Sequence, residues 1–167
     1  MKANHGAVQW LWLSAAVVVF DQLTKWLVER HMELFDQVDI LPVLALKLLY
    51  NEGAAFSFLS TASGWQKWFF IALGLTISVV IMVWLRRLPG KGQAWVAAAL
   101  ALVVGGALGN VIDRVAHGHV IDFILAHYGA WYFPAFNVAD SAITVGAAIL
   151  IVDSLFGAKK DAKKEAG

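Results

Sequence analysis

Residues 105–140 read GGALGNVIDRVAHGHVIDFILAHYGAWYFPAFNVAD. The stretch leaves one apolar run and enters another, and between them it carries two carboxylates, Asp122 and Asp140. Val120, Ile121 and Phe123 surround the first, and Phe136, Val138 and Ala139 precede the second. An acid is costly among such neighbours unless something pairs with it or uses it. Whether the two acids form one site depends on where the rest of the chain puts them.

The apolar run that feeds this stretch covers residues 94–112, and the run that follows it covers 138–156. Two more lie upstream, at 8–27 and 65–85. Each is about 20 residues long, enough to cross the ~30 Å hydrocarbon core of a bilayer. The chain is 60% hydrophobic and 15% charged, where a soluble domain carries roughly a quarter charged residues. The expectation is an α-helical polytopic membrane protein with four transmembrane helices. Residues 1–158 read as a single integral-membrane domain, and residues 159–167 as a charged, disordered cytoplasmic tail. The first apolar run exceeds the ~7–15 residues of a signal-peptide core and lacks an A-x-A-like exit, so it reads as a span and not as a cleavable signal.

The basic residues orient the spans. Lys2, Arg86, Arg87, Lys91, Lys159, Lys160, Lys163 and Lys164 are eight of the 13 Lys and Arg residues. They fall at the N-terminus, between spans two and three, and in the tail, three regions that four spans put on one side. The positive-inside bias makes that side the cytoplasm. The loops 29–64 and 115–137 are then outside, with Trp65, Trp68, Trp131 and Tyr132 at their edges as an interfacial belt. In the first loop, Pro42, a β-like stretch at 43–50 and the turn signal Asn51-Glu52-Gly53 are followed by a partly alternating segment at 54–59, which together read as two or three short strands. This topology puts Asp21, Lys25, Asn110, Asp113, Arg114, Asp122 and Asp140 at one depth, near the outer surface. Scattered polar residues would have no reason to share a depth.

Three constellations follow. Asp122 and Asp140, brought within one water of each other, would share one proton, because two adjacent carboxylates resist ionising together. The ionised member can take a proton from water while the other donates to a carbonyl oxygen, which is peptide hydrolysis without metal or covalent intermediate. The plain alternative is that Asp140 caps the fourth helix and Asp122 is solvated. Next, Gly106, Asn110 and Arg114 lie at i, i+4 and i+8, one helical stripe with Asp113 beside it. The glycines fit close packing, and the amide and guanidinium on the same stripe fit a polar site in which Arg114 can orient a carboxylate. Third, Asn51-Glu52-Gly53-Ala54-Ala55-Phe56 in the first outer loop is a turn with a free amide side chain that fits the border of a substrate groove. Beside these, Asp21 and Lys25 are four apart on one helical face and pair, either to ease insertion or as a fixed part of the site. Lys25 and Arg114 are expected to hold carboxylates and backbone and not to transfer protons.

The exclusions are short. No cysteine is present, which removes disulfides, thiol catalysis, iron–sulfur clusters and Cys-based zinc sites. His117, His119 and His127 form no H-E-x-x-H, so no metal or other cofactor is expected. Ser141 and Thr144 lack a base at motif spacing. The net charge of +1 and the absence of a basic patch outside loops and termini argue against nucleic acid.

The residues that carry these constellations resemble a known family. The blocks Asp21-Gln22-Leu23-Thr24-Lys25, Asn51-Glu52-Gly53-Ala54-Ala55-Phe56, 105–114, Val120-Ile121-Asp122-Phe123 and Phe136-Asn137-Val138-Ala139-Asp140 are similar, in the same order, to those of the bacterial lipoprotein signal peptidases, the type II signal peptidases. The resemblance spans nearly the whole chain. It implies an aspartic endopeptidase of the inner membrane, with a small extracytoplasmic β-sheet cradle on the four helices and a mobile outer-loop helix. The substrate it implies is a diacylglyceryl-modified prolipoprotein, cut on the amino side of the lipidated cysteine. Its catalytic pair falls on Asp122 and Asp140, and its supporting residues on Asp21, Lys25, Asn51, Gly53, Gly106, Asn110, Arg114, Asn137 and Ala139. Prolipoprotein and membrane lipid are the expected partners, and the chain is expected to act as a monomer. Part of residues 52–64 is expected to open and close over the site.

Two other classes compete. A small ion- or proton-coupled transporter subunit would also carry intramembrane charges, but nearer the midplane and with an internal repeat. An assembly factor without activity would tolerate loss of either acid.

Overall fold

The computed structural model describes residues 7–53, 64–89 and 93–165, with the backbone alone for 157–165. A 3-10 turn at Val8–Trp10 leads into helix α1, Leu11–His31. Strands β1 (Gln37–Leu41) and β2 (Leu44–Asn51) follow, then α2 (Trp65–Arg87), α3 (Ala94–Ala116), β3 (Val120–Tyr128), β4 (Trp131–Tyr132) and α4 (Val138–Glu165). Among the described residues, four helices are long and apolar enough to cross a membrane. The chain is the four-helix membrane protein with a small antiparallel sheet that its sequence leads one to expect.

Helix α3 is the central one. In its most apolar stretch 56% of residues are buried, against 17–22% in the other three. Its Ala- and Gly-rich sequence is the cause, since small residues let backbones approach closely. A Cβ on Gly105 would lie 2.8 Å from Ser14 O of α1, and one on Gly106 would collide with the carbonyl of Ala139 at the start of α4. At the end away from the sheet, Ile81 and Leu85 of α2 pack on Ala97, Leu100 and Val104 of α3. Exposed Val19, Phe20, Val79, Val80 and Ile151 face outward from the bundle, as lipid-facing residues do. Trp65, Trp68, Trp131 and Tyr132 are likewise exposed.

The sheet runs β1-β2-β3-β4, all antiparallel. It draws on both loops, where the sequence had indicated strands only in the first. Helix α3 turns into β3 through Gly118, whose φ of 88° suits a residue without Cβ. Its N–H bonds Arg114 O at 3.2 Å, the left-handed form of helix ending. In β3, both Phe123 N–H (3.1 Å) and Ile124 N–H (2.8 Å) donate to Phe136 O. That two-against-one pairing is a bulge placed directly after Asp122, and bulges re-aim neighbouring side chains.

Several boundaries differ from the sequence reading. Helix α1 continues beyond residue 27 to His31, and α3 beyond residue 112 to Ala116, because Asp113 and Arg114 find partners and the helix can carry them. Helix α4 runs through Glu165, so the tail expected to be disordered is helical there; its Ala, Lys and Glu residues are good helix formers. The partly alternating segment at 54–59, and the expected lid apart from Glu52, Gly53 and Gly64, lie outside the described residues.

Candidate active site

The sheet sits where α1 and α3 end and α4 begins. At that junction, Asn51, Gly53, Asn110, Arg114, Asp122 and Asp140 all line one cavity of about 660 Å³. Asp21, Lys25, Gly106, Asn137 and Ala139 stand behind its wall.

Asn137 is the hinge of the arrangement. Its Oδ1 accepts the N–H of Asp140 at 2.9 Å, and Asp140 Oδ2 accepts the N–H of Asn137 at 3.3 Å. This is a reciprocal capping box. Asp140 is therefore not the N-cap that its position suggested; Asn137, the residue just before α4, takes that place and leaves Asp140 one turn inside. The same Asn137 side chain donates through Nδ2 to Asp122 Oδ1 at 2.8 Å and to Ile121 O at 3.3 Å. One buried amide thus ties both acids together.

Each acid has a second donor. Asn110 Nδ2 reaches Asp140 Oδ1 at 2.7 Å, and Asn51 Nδ2 reaches Asp122 Oδ2 at 2.9 Å. Asp122 is only 3% exposed, which rules out the solvated alternative. Burial, and then the neighbouring Asp140 charge, push its carboxyl up to about 7; the amides of Asn51 and Asn137 oppose this in part. Desolvation and a like charge both disfavour the ionised form.

Among the described residues Arg114 pairs with no carboxylate. Its Nη2 donates to Gly53 O at 2.8 Å, and its Cζ lies 4.9 Å from the centre of the Phe70 ring. Gly53 N–H in turn donates to Asn51 Oδ1 at 3.1 Å. The guanidinium therefore fixes the turn whose asparagine holds Asp122. Lys25 pairs with Asp21 as its spacing suggests, Nζ to Oδ2 at 2.7 Å, and also with Asp113 Oδ2 at 2.7 Å. Asp113, which the sequence placed beside the Arg114 stripe without a task, gains its partners only in the structure, and Gln22 stands out only there. Their signal in the sequence is weak: a polar residue beside a charged one near a helix end reads as ordinary interface.

Gly106 and Ala139 work by being small. The carbonyl of Ala139 occupies the space a Gly106 Cβ would take, and a Cβ on Gly109 would meet Ala139 Cβ at 3.2 Å and Asp21 Oδ2 at 2.7 Å. Gly106→Ala is expected to push α4 away from α3, costing about 1–3 kcal/mol and displacing Asp140. The check is melting of the purified variant together with its turnover; loss of turnover without loss of melting temperature would also support displacement, while wild-type values of both would not.

Residues 13–156 match the family described as Signal peptidase (SPase) II. The lipoprotein signal peptidase of Pseudomonas fluorescens is 55% identical over 159 residues, covering 94% of this chain and 92% of the relative. That of Pseudomonas aeruginosa is 50% identical over 166 residues, with 98% and 97% covered. Among solved structures, one bacterial membrane enzyme superposes with a TM-score of 0.79 at 31% identity, covering 91% of this chain and 90% of that one. A second gives 0.73 at 32% identity, covering 88% and 92%.

Proposed function

Since the chain belongs to the signal peptidase II family, we propose that it is an aspartic endopeptidase in which Asp122 and Asp140 activate water. Its substrates are diacylglyceryl-modified prolipoproteins, cut on the amino side of the lipidated cysteine. The observation that carries this reading is the Asn137 bridge: one buried amide bonds Asp122 and caps the helix turn of Asp140, on a cavity both acids line.

The pair shares one proton, and Asp122, whose carboxyl is pushed up to about 7 by burial and the Asp140 charge, is the member that carries it. Asp140 takes a proton from water as the water oxygen bonds the scissile carbonyl carbon, and Asp122 gives its proton to the carbonyl oxygen. The tetrahedral species then returns a hydroxyl proton to Asp122 as the C–N bond breaks, and Asp140 delivers its proton to the leaving nitrogen. The carboxylic acid and free amine are formed with the pair again holding one proton. Away from the acids the cavity wall is apolar, with Phe70, Leu73 and Ile77 of α2 facing Ile143 and Val145 of α4. That suits acyl chains that hold the peptide at the acids, a positioning effect.

In this reading the protein is a multi-pass protein of the inner membrane, with both termini cytoplasmic and the site at the outer face. The distribution of Lys and Arg supports the orientation. In this reading the protein works as a monomer.

The test is cleavage of a lipidated prolipoprotein by purified protein across pH, beside the same precursor without lipid. The expected kcat/KM falls above about 7, where Asp122 loses its proton, and falls again in acid where the pair as a whole takes up a second proton. A rate flat from pH 5 to 9, or equal cleavage of the unlipidated precursor, would defeat the proposal.

A further inference from the structure

Two acids outside the pair have matching tasks. Asp21 Oδ1 accepts the backbone N–H of Ala139 at 2.9 Å, and Asp113 Oδ2 accepts the backbone N–H of Ile121 at 3.2 Å. Ala139 immediately precedes Asp140, and Ile121 immediately precedes Asp122. The two acids meet at one cation, with Lys25 Nζ 2.7 Å from an oxygen of each. Gln22 Nε2 closes the group, donating to Asp113 Oδ1 at 2.7 Å and to Asp21 Oδ2 at 3.3 Å. Asp21, Lys25 and Asp113 are all at most 1% exposed. A buried ionic group is a weak source of stability; what it does supply is fixed geometry.

The connection runs from the β3 backbone before Asp122, through Asp113, Lys25 and Asp21, to the α4 backbone before Asp140. No loop intervenes. On the other side, Asn137 joins the same two segments. The acids thus sit in a closed frame, one edge of which is the Lys25 bridge.

We propose that Asp113, with Lys25 and Asp21, sets the spacing of Asp122 and Asp140, and so is a positioning residue for the reaction through the Ile121 backbone. This rests on reading Asp122 and Asp140 as the reacting pair. Proton sharing depends on the separation of the two carboxyls, and a displacement of about 1 Å can cost about 100-fold in rate.

Asp113→Glu tests it, because the charge beside Lys25 is kept while the acceptor for Ile121 N–H is moved by one methylene. The expected result is a kcat about 100-fold lower with KM unchanged, and a changed separation between the acid and alkaline limbs of the pH profile. Asp113→Asn keeps the volume and an acceptor oxygen but not the charge, and is expected to lose only about 10-fold. Charge balance alone predicts the opposite order, so a Glu variant more active than the Asn variant overturns the proposal. So does a Glu variant with wild-type kcat and limbs. Should the Glu variant fail to fold, the Asn variant decides: a kcat within about threefold of wild type overturns the proposal, and a larger fall at unchanged KM supports it. Asp122→Asn and Asp140→Asn are measured alongside. If either turns over normally, the reading of the pair fails; if both are dead while Asp113→Glu is fully active, only the spacing role fails.

Discussion

Asp122→Asn is expected to abolish cleavage of lipidated prolipoprotein and, above pH 7, to raise the melting temperature. The two effects have one cause. Asp122 is buried next to Asp140, and its carboxyl sits near 7 where an ordinary aspartate lies at 3.8. Below 3.8 the group is protonated whether or not the chain is folded, and its titration costs nothing. As pH rises from 3.8 to about 7 the unfolded chain ionises and the folded one does not, so stability falls across that window and stays lost above it. The difference amounts to about 4 kcal/mol. Asparagine cannot ionise and so escapes this cost; it keeps an oxygen for the Asn137 amide and gives up the smaller contribution of the Asn51 bond. The variant should therefore melt several degrees above wild type at pH 8 and close to it at pH 4. Its turnover should fall on the order of 10⁴-fold, because no group remains to move the proton. A variant that is inactive but no more stable at pH 8 would show that Asp122 ionises freely in the fold, and the shared proton would have to be abandoned.

Lys25→Met should be the most damaging single change to the fold. The lysine is 1% exposed and lies 2.7 Å from both Asp21 and Asp113. Removing it leaves two carboxylates buried beside one another with no cation, a loss of about 3–5 kcal/mol. The variant is expected to melt far below wild type or to accumulate poorly. Neutralising the acids as well, with Asp21→Asn and Asp113→Asn in the same chain, should recover most of the stability, since a buried ionic group replaced as a whole costs little. Size-exclusion profiles and melting curves in detergent would measure both. A Lys25→Met protein that melts like wild type would show that the lysine does not hold the fold, and a loss of turnover alone would leave it only the spacing of the acids.

The fold was legible where it depends on local composition. Residues 65–85 and 138–156 are apolar enough to need a bilayer whatever surrounds them, and four such runs fix which loops share a side. Asp21 and Lys25 could be paired because helical periodicity brings i and i+4 together. The depth shared by Asp122 and Asp140 followed from the same counting of spans.

What only the tertiary structure decided is which polar groups meet across elements. Asp113 joins Lys25 because Gly105, Gly106 and Gly109 let α1 and α4 close on α3, and no spacing in the sequence encodes that approach. Asn137 rather than Asp140 caps α4 because its amide is also held by Asp122 and Ile121, from a strand that begins 17 residues earlier. The pairing of β2 with β3 joins two loops separated by two membrane spans. Apolar length is a property of each segment alone, so the sequence by itself determined the spans; a hydrogen bond needs two partners at about 3 Å, and only the packed helices determine which two they are.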